Sequence, residues 1–508
     1  MKFFDMSKKN TIVLLLILIV NLIILIILKK NIEGFNHNKH MINNTIKIKN
    51  ATDFKFKKAA AVDRQAARYG NSVVNQFTSR EIEDSGMSVI DTVEELNNQN
   101  KVFWDNYYKT NSHDILKPSS FAYFVYETYI KKYNNDNVYL KITDLGSGNS
   151  RDTKFFSSKK NLCYGIDING VLDKENINCK LIKKDVLDVL KNHELCMLFD
   201  IIYMRWFLHA LPYNISNHIF INSIHNLKPG GLVTIEVRSI NDNELKKNSV
   251  YNETDKSFTT THKRWLYSID MLKDLASIND CDVLYCEEGY FSHNNNTETN
   301  NPLLIRFICQ KRKLAYYKKS ENYSKYKYII HKMKYSIEHY DKMSKLNKIL
   351  EKNNIKYIAV AGTSLGLNRH GGIIPWDNDI DIGFVEKEWE ALFKIKDELE
   401  KEGFKYRTNG TNHCHFGPID FFKLTKNNEN FYTGDAKTLC SVDEYNNVVK
   451  QIFGYTYIYA PFNNHQSLKK RYGENYFKIG NVNDNFHFED NTVKNFNLNH
   501  NDLSYQIK

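Results

Sequence analysis

Residues 369 to 383 read "RHGGIIPWDNDIDIG". Asp377, Asp379 and Asp381 stand at every second position, interleaved at the end with Ile380 and Ile382. A solvated acidic run does not usually alternate with isoleucine. Strand side chains alternate faces, so Asp379 and Asp381 share one face and the isoleucines share the other. Two carboxylates this close in a half-buried strand repel strongly, and a divalent cation removes that cost. Hard oxygen ligands suit Mg²⁺ or Mn²⁺. The plain alternative is a solvated strand face, which the flanking isoleucines argue against. Asp377 is the weaker ligand candidate, because it sits at the strand entrance beside Pro375 and Trp376.

The flanks extend this reading. "IKYIAVAG" is a strand, and "GTSLG" is a turn into a short helix. Gly362 permits close backbone approach there, and Thr363 and Ser364 supply hydroxyls. Downstream, "FGPIDFFKL" offers Asp420, isolated in an apolar run, as a third acid from a neighbouring strand. His413 and His415 in "HCHFG" alternate on a strand, but without a fuller ligand set they read as incidental.

A Gly-Ser/Thr turn, a D-x-D strand and a third carboxylate together resemble the nucleotidyltransferase superfold. More narrowly, "AGTSLGLNRHGGIIPWDNDIDIGF" resembles the LicD/fukutin family, and "FGYTYIYAPFNNHQSLKKRYGENY" resembles its tail through Pro461, Tyr472 and Gly473. Two positions depart from that pattern. Asn378 replaces a middle acid, on the side away from the Asp379/Asp381 face. Asn368 stands where a small or apolar residue is commoner.

The resemblance implies transfer of an alcohol phosphate, such as phosphocholine or ribitol phosphate, from a CDP-activated donor to a glycan or glycolipid. It implies that Asp379 and Asp381 hold the metal, with Asp420 a further ligand or the base. Gly362 and Thr363 would contact donor phosphate or nucleotide. Arg369 and His370 would either bind phosphate or position the turn.

Upstream, residues 101–312 alternate strand-like and helical runs. "VYLKITDLGSGNSRDTKFF", "NLCYGIDING", "CKLIKKDVLDVL", "LFDIIYMRWFLHALP" and "LKPGGLVTIEVRS" come in turn, then "CDVLYCEEGYF" and "PLLIRFICQK" close together. The pattern predicts a parallel doubly wound sheet closed by a hairpin. Such sheets bind ligands at the carboxyl ends of their strands. Gly146 and Gly148 allow a sharp turn close to a ligand. Asp144 and Asp167 stand at or near the ends of the first two strands. Asp167 is placed to accept from two ribose hydroxyls, and Asp185 from an exocyclic amine.

"DLGSGNSRDT", "YGIDI", "KKDVLD", "IIYMRWFLHAL" and "LKPGGLVTIEVRS" resemble, in order, the motifs of class I S-adenosylmethionine-dependent methyltransferases. The "FWDNYYKTN…PSSFAYFV" leader resembles that of methyltransferases found beside glycan-assembly genes. The family implies that Gly146, Gly148 and Asp167 hold S-adenosyl-L-methionine, supported by Asp144 and Asp185. A Rossmann dehydrogenase fits less well, since Arg151 stands where G-x-G-x-x-G needs its third glycine. A structural domain without activity is the bland alternative. His209 is either a general base for an acceptor hydroxyl or a packed histidine beside the cofactor.

Residues 11–28, "TIVLLLILIVNLIILIIL", are just long enough to cross a hydrocarbon core as a helix, and lysines bracket them. A signal peptide is the other reading, but no small-residue cleavage pattern follows. The expected order is a short tail (1–10), a transmembrane helix (11–28), a stalk (29–100) and a Rossmann-like seven-stranded α/β methyltransferase domain (101–312). A linker helix (313–350), an α+β nucleotidyltransferase-fold domain (351–480) and a polar, poorly ordered tail (481–508) follow. Ile330, Met333, Ile337, Met343, Leu346 and Leu350 give the linker helix an apolar stripe for a core, or less readily for a membrane surface.

The 508 residues are too many for one ordinary domain, and 42% hydrophobic with 25% charged residues is a folded composition. The net charge of +11 suits a phosphate-bearing partner, though Lys- and Asn-rich usage throughout equally suits coding bias. No zinc-finger spacing or basic region with heptads points to nucleic acid. Eight scattered cysteines, none in C-x-x-C, suit a reducing compartment. Catalytic domains facing the cytosol, on a single-pass membrane protein, are therefore expected. The leading reading is a bifunctional glycan-modifying enzyme. The alternatives are a methyltransferase with a non-catalytic LicD-like binding module, or an RNA nucleotidyltransferase, against which the anchor and the R-H-G-G-x-I-P-W segment argue.

Overall fold

The computed structural model of the chain describes residues 102–104, 106, 117–172, 174–291, 302–312, 321–331, 333–408, 410–432, 438–482 and 494–498. The apolar stretch 11–28 and the stalk 29–100 lie outside these. Among the described residues no helix is long and apolar enough to cross a membrane.

The upstream runs form five parallel strands: β1 (Lys141–Leu145), β2 (Leu162–Ile166), β3 (Cys179–Ile182), β4 (Phe199–Arg205) and β5 (Leu227–Arg238). β6 (Cys281–Gly289) and β7 (Leu304–Lys311) complete a seven-stranded sheet in the order β3-β2-β1-β4-β5-β7-β6. β7 runs antiparallel to both its neighbours. Every residue of β1 and β2 is buried, as expected for strands covered on both faces. On one face Ile142, Cys163, Ile201 and Tyr203 pack on α1 (Ser120–Val125). The PSSFAYFV end of the leader belongs to the core: Phe121, Ala122 and Val125 are buried, and Ser119 caps α1, accepting from the Ala122 N–H. The chain leaves the sheet in opposite directions from β1 and β4, so the loops after these strands flank the switch point where such folds bind ligands.

The second domain is built on β8 (Ile358–Ala359), β9 (Ile380–Val385), β10 (Tyr406–Thr408), β11 (His413–Phe416) and β12 (Ile419–Asn427), in the order β8-β9-β12-β11-β10. β9 and β12 are parallel, with Asp381 opposite Asp420. β11 and β12 are antiparallel, with His415 opposite Asp420.

The helix read as a linker, α2 (Met333–Lys352), is part of this core. Met343, Leu346 and Leu350 are buried in it together with Tyr340 and Ile349, while Ile337 is 39% exposed. The stripe faces a core, and its register was off by one position near the start. Of the polar tail 481–508, residues 481–482 and 494–498 are described. Lys494–Asn497 pairs antiparallel with Ile479–Val482, and buried Phe496 stacks on Tyr328 and meets Trp376. One aromatic in a polar segment carries little sequence signal, and burial against the Pro-Trp corner orders it.

The two domains share buried contacts. Lys141 Nζ donates to Asn368 Oδ1 at 2.9 Å, and the Leu198 N–H donates to the Asn368 carbonyl. Asn368 Nδ2 donates in turn to the Ser364 carbonyl and to Asn464 Oδ1. Beside them Lys228 pairs with Asp200 at 2.9 Å, with both side chains at most 5% exposed. Lys228 also donates to the Ile452 carbonyl, and Phe462 enters the core of the first domain. This accounts for Asn368 at a position where an apolar residue is commoner: it satisfies a buried lysine from the other domain. All eight cysteines are free thiols.

Candidate functional site

In the second domain the acids converge. Asp379, Asp381 and Asp420 each offer a carboxylate oxygen, and these oxygens lie within 4.8 Å of one another. The convergence follows from topology. Asp379 and Asp381 alternate along one chain, and the parallel pairing with β12 brings Asp420 alongside Asp381.

Helix α3 (Ala361–Arg369) starts beneath them. The Gly362 N–H donates to Asp381 Oδ2 at 3.1 Å, so the positive end of the helix faces the carboxylates. A Cβ at Gly362 would sit 2.6 Å from Asp377 Oδ2 and 3.3 Å from Asp381 Oδ2. Only glycine leaves room for the acids. Ala361 takes a φ of +45° at the same corner, a left-handed conformation unusual for alanine.

Burial pushes the Asp381 carboxyl well above the usual carboxylate range, with Asp379, Asp377 and Asp420 adding repulsion. Burial does the same to Asp377, which is hydrogen-bonded to Asp379. Asp377 therefore belongs to the site, a stronger place than its position at the strand entrance suggested. These carboxyls resist ionising side by side, as expected of a set built around a cation. Three carboxylate donors fit a hard divalent ion such as Mg²⁺ or Mn²⁺.

Other assignments shift. Thr363 is buried, and its Oγ1 accepts from the Asp381 N–H at 2.7 Å, so it positions the strand instead of meeting a donor phosphate. Arg369 and His370 are also buried. Arg369 donates to the Tyr476 and Ile479 carbonyls and to His370 Nε2. Of their two readings, positioning the turn is the one this geometry supports. The Asn378 main-chain carbonyl accepts from the Tyr335 hydroxyl and pairs with His339 Nε2. The tail contributes a residue that motif reading left unassigned. Helix α4 (His465–Tyr472) ends in Tyr472, which is 38% exposed, feels Asp381 and Asp377 and is hydrogen-bonded to Arg471.

In the first domain the loop after β1 folds back over the sheet. Gly146 and Gly148 have φ of +72° and +54°, and a Cβ on Gly146 would collide with the Phe207 ring. Asp167 Oδ2 accepts from the Gly148 N–H at 2.9 Å and Oδ1 from the Asn169 N–H at 2.8 Å. Its carboxylate thus holds the loop as well as facing the crevice.

Asp144 is buried and bonds Thr153 Oγ1 at 2.6 Å, and burial with Asp152 nearby pushes it up to about 8. Its bond to Thr153 makes it a support for the turn. Asp185 caps the helix Val186–Lys191, accepting from the Leu187 and Asp188 N–H groups. Capping, which its position before "VLDVL" also signals, accounts for one of its oxygens.

Ser147 Oγ and Ser150 Oγ are buried in the loop with no hydrogen-bond partner. Orphaned hydroxyls beside a glycine turn fit a polar ligand in the loop, as S-adenosylmethionine would be.

His209 is 3% exposed, and its Nδ1 accepts from the Arg238 N–H at 3.1 Å. Burial, then Arg264 and Arg238, hold it neutral. Its basic nitrogen is already used, so the geometry supports the packed histidine and not the general base. Asp152 was missed: it bonds the Ser119 N–H, the Ser119 hydroxyl and the Tyr203 hydroxyl, tying the leader to the cofactor loop.

Residues 354–472 match the family model "LicD/FKTN/FKRP, nucleotidyltransferase domain". An uncharacterized protein of Rickettsia typhi is 31% identical over 140 residues, 27% of this chain and 45% of that protein. Another, of Rickettsia prowazekii, is 37% identical over 93 residues, 18% of this chain and 35% of that protein. The chain thus spans less than half the length of either relative. Among solved structures, the Burkholderia thailandensis 1,6-didemethyltoxoflavin-N1-methyltransferase with bound S-adenosylhomocysteine is similar at 12% identity and a TM-score of 0.32, covering 44% of this chain and 91% of that one. An S-adenosylmethionine-dependent methyltransferase of Clostridium acetobutylicum is similar at 14% identity and a TM-score of 0.29, covering 41% and 98%.

Proposed function

We propose that this protein is a bifunctional glycan-modifying transferase, anchored in a membrane by residues 11–28 with both catalytic domains facing the cytosol. One domain methylates an acceptor with S-adenosylmethionine. The other transfers an alcohol phosphate, of the phosphocholine or ribitol-phosphate kind, from a CDP-activated donor to a glycan or glycolipid. The observation that carries the second activity is the convergence of Asp379, Asp381 and Asp420 above the Gly362 N–H, inside the stretch that matches the LicD/FKTN/FKRP domain.

In the second site Asp379, Asp381 and Asp420 would hold a divalent cation, which would neutralise charge on the donor pyrophosphate. The acceptor hydroxyl oxygen bonds to the transferred phosphorus and gives up its proton to solvent, the phosphoanhydride bond breaks and CMP leaves. Asp377 would add a further carboxyl beside the cation, and Gly362 leaves room for the acids. In the first site bound S-adenosylmethionine supplies an electrophilic methyl group. Gly146 and Gly148 shape the turn, Ser147 and Ser150 offer hydroxyls, and Asp167 orients the loop. Fusing the two domains keeps both activities at one acceptor, raising its effective concentration.

Replacing Asp379 by alanine should abolish metal-dependent turnover of a CDP-alcohol and leave S-adenosylmethionine binding intact. A D379A protein that still releases CMP from a CDP-alcohol sinks the assignment. Mass spectrometry of surface glycans with and without the protein identifies the added group as a methyl, a phosphodiester or both.

A further inference from the structure

We propose that His413, His415 and Asp420 form a second cation site, taking a nitrogen-preferring metal such as Zn²⁺ and sharing Asp420 with the carboxylate site. Its catalytic role rests on the reading of Asp379 and Asp381 as metal ligands; its geometry does not.

Three adjacent strands line up one row of side chains. Asp381 on β9 lies opposite Asp420 on β12, which lies opposite His415 on β11. His413 stands two residues before His415 and so shares its face. His415 Nδ1 meets Asp420 Oδ1, and His413 Nε2 lies 3.3 Å from Asp420 Oδ2. All three ligand atoms lie within 4.8 Å of one another.

The rings are held. His413 stacks on Phe422 at 4.4 Å with an interplanar angle of 10°, and the two imidazoles are 4.5 Å apart. Their side chains are 28% and 25% exposed, and that of Asp420 13%, so an ion can reach them without the strands opening.

Two imidazoles and a carboxylate are a common donor set for a borderline metal, whereas the neighbouring oxygens suit a hard one. Charge gives the reason for a second ion. Asp377, Asp379, Asp381 and Asp420 meet on one side, and a donor pyrophosphate adds more negative charge. One divalent cation offsets only part of that. A carboxylate between two sites is the arrangement in which paired metals stand about 3.5–4 Å apart, one toward the leaving side and one toward the attacking hydroxyl.

The test counts metal on the purified full chain. Stripped protein is dialysed against Co²⁺, the bound metal is counted and its visible spectrum recorded. The wild type should bind two ions, one with the stronger absorption of nitrogen ligation. A His413→Gln, His415→Gln variant should bind one and lose that absorption. D379N should keep the nitrogen-ligated ion. The single variant His415→Asn, with an unfolding transition in EDTA matching the wild type, separates lost ligation from lost folding.

A wild type that binds one ion, unaffected by the histidine changes, overturns the proposal and leaves the histidines as hydrogen-bond partners of Asp420. One ion lost with the histidines but kept in D379N upholds the histidine site and sinks the carboxylate-pair reading instead.

Discussion

The carboxylate cluster makes a prediction about stability opposite to the usual effect of changing a buried residue. Asp379, Asp381 and Asp420 have oxygens within 4.8 Å of one another, and two unit charges at that distance repel by about 3.5 kcal/mol at an effective dielectric of ~20. The metal-free protein relieves much of this by keeping protons on buried acids, and Asp381 is accordingly raised. Asp381→Asn removes the charge, keeps the shape and leaves an oxygen for the Gly362 N–H. Without divalent metal the variant should therefore be more stable than the wild type, by about 1–3 kcal/mol once protonation is allowed for.

The sign with pH follows. A carboxyl whose folded pKa lies above its unfolded value contributes stability at low pH that is lost as pH rises through the folded pKa. The wild type carries that loss and the variant does not, so the gap should widen from pH 5 to pH 8. Thermal unfolding in EDTA reads it, at roughly 2–4 °C per kcal/mol for a domain of this size. Added Mn²⁺ should reverse the order, since an ion at 100 times its Kd stabilises the wild type by about 2.7 kcal/mol and the variant by less. A variant less stable than the wild type in EDTA at pH 8, or a gap that does not grow with pH, refutes the reasoning.

Other perturbations follow from the same geometry. Asn368→Leu, which strips a buried lysine of its acceptor across the domain interface, should cost about 2–4 kcal/mol in urea unfolding, and an unchanged midpoint would contradict the interface. Burial, then nearby Lys228, pushes Lys141 down to about 7, so the unfolded chain binds more protons between about pH 7 and 10.5 and wild-type stability should rise across that window. Lys141→Met should flatten the rise in a stability-against-pH series. Gly146→Ala, whose methyl would meet the Phe207 ring at a φ of +72°, should lower S-adenosylmethionine affinity at least tenfold by calorimetry while sparing metal binding.

Much of the architecture was legible because it is written in short-range pattern. Apolar runs of strand length, punctuated by glycine turns, specified the sheet of the first domain. Alternation of acid and isoleucine placed Asp379 and Asp381 on one face. Gly362 was legible as a close approach, although its neighbours were not. Roles that depend on which hydrogen bond a side chain makes were not legible. Thr363, Asp185 and His209 each carry a type of group suited to chemistry, and each spends it on a backbone N–H. A sequence shows the donor or acceptor but not whether it is already satisfied.

The sequence by itself determined the two domains, the acid pair on one strand face and the glycine turns, because periodicity and φ requirements act within a few residues. Tertiary structure alone decided the rest. Strand register brought Asp420 between Asp381 and His415, from segments about 40 residues apart in the chain. It set an unremarkable H-x-H against Asp420 and gave Asn368 its buried lysine. These are pairings across strands and domains, set by the packing of whole faces, and no local pattern encodes them.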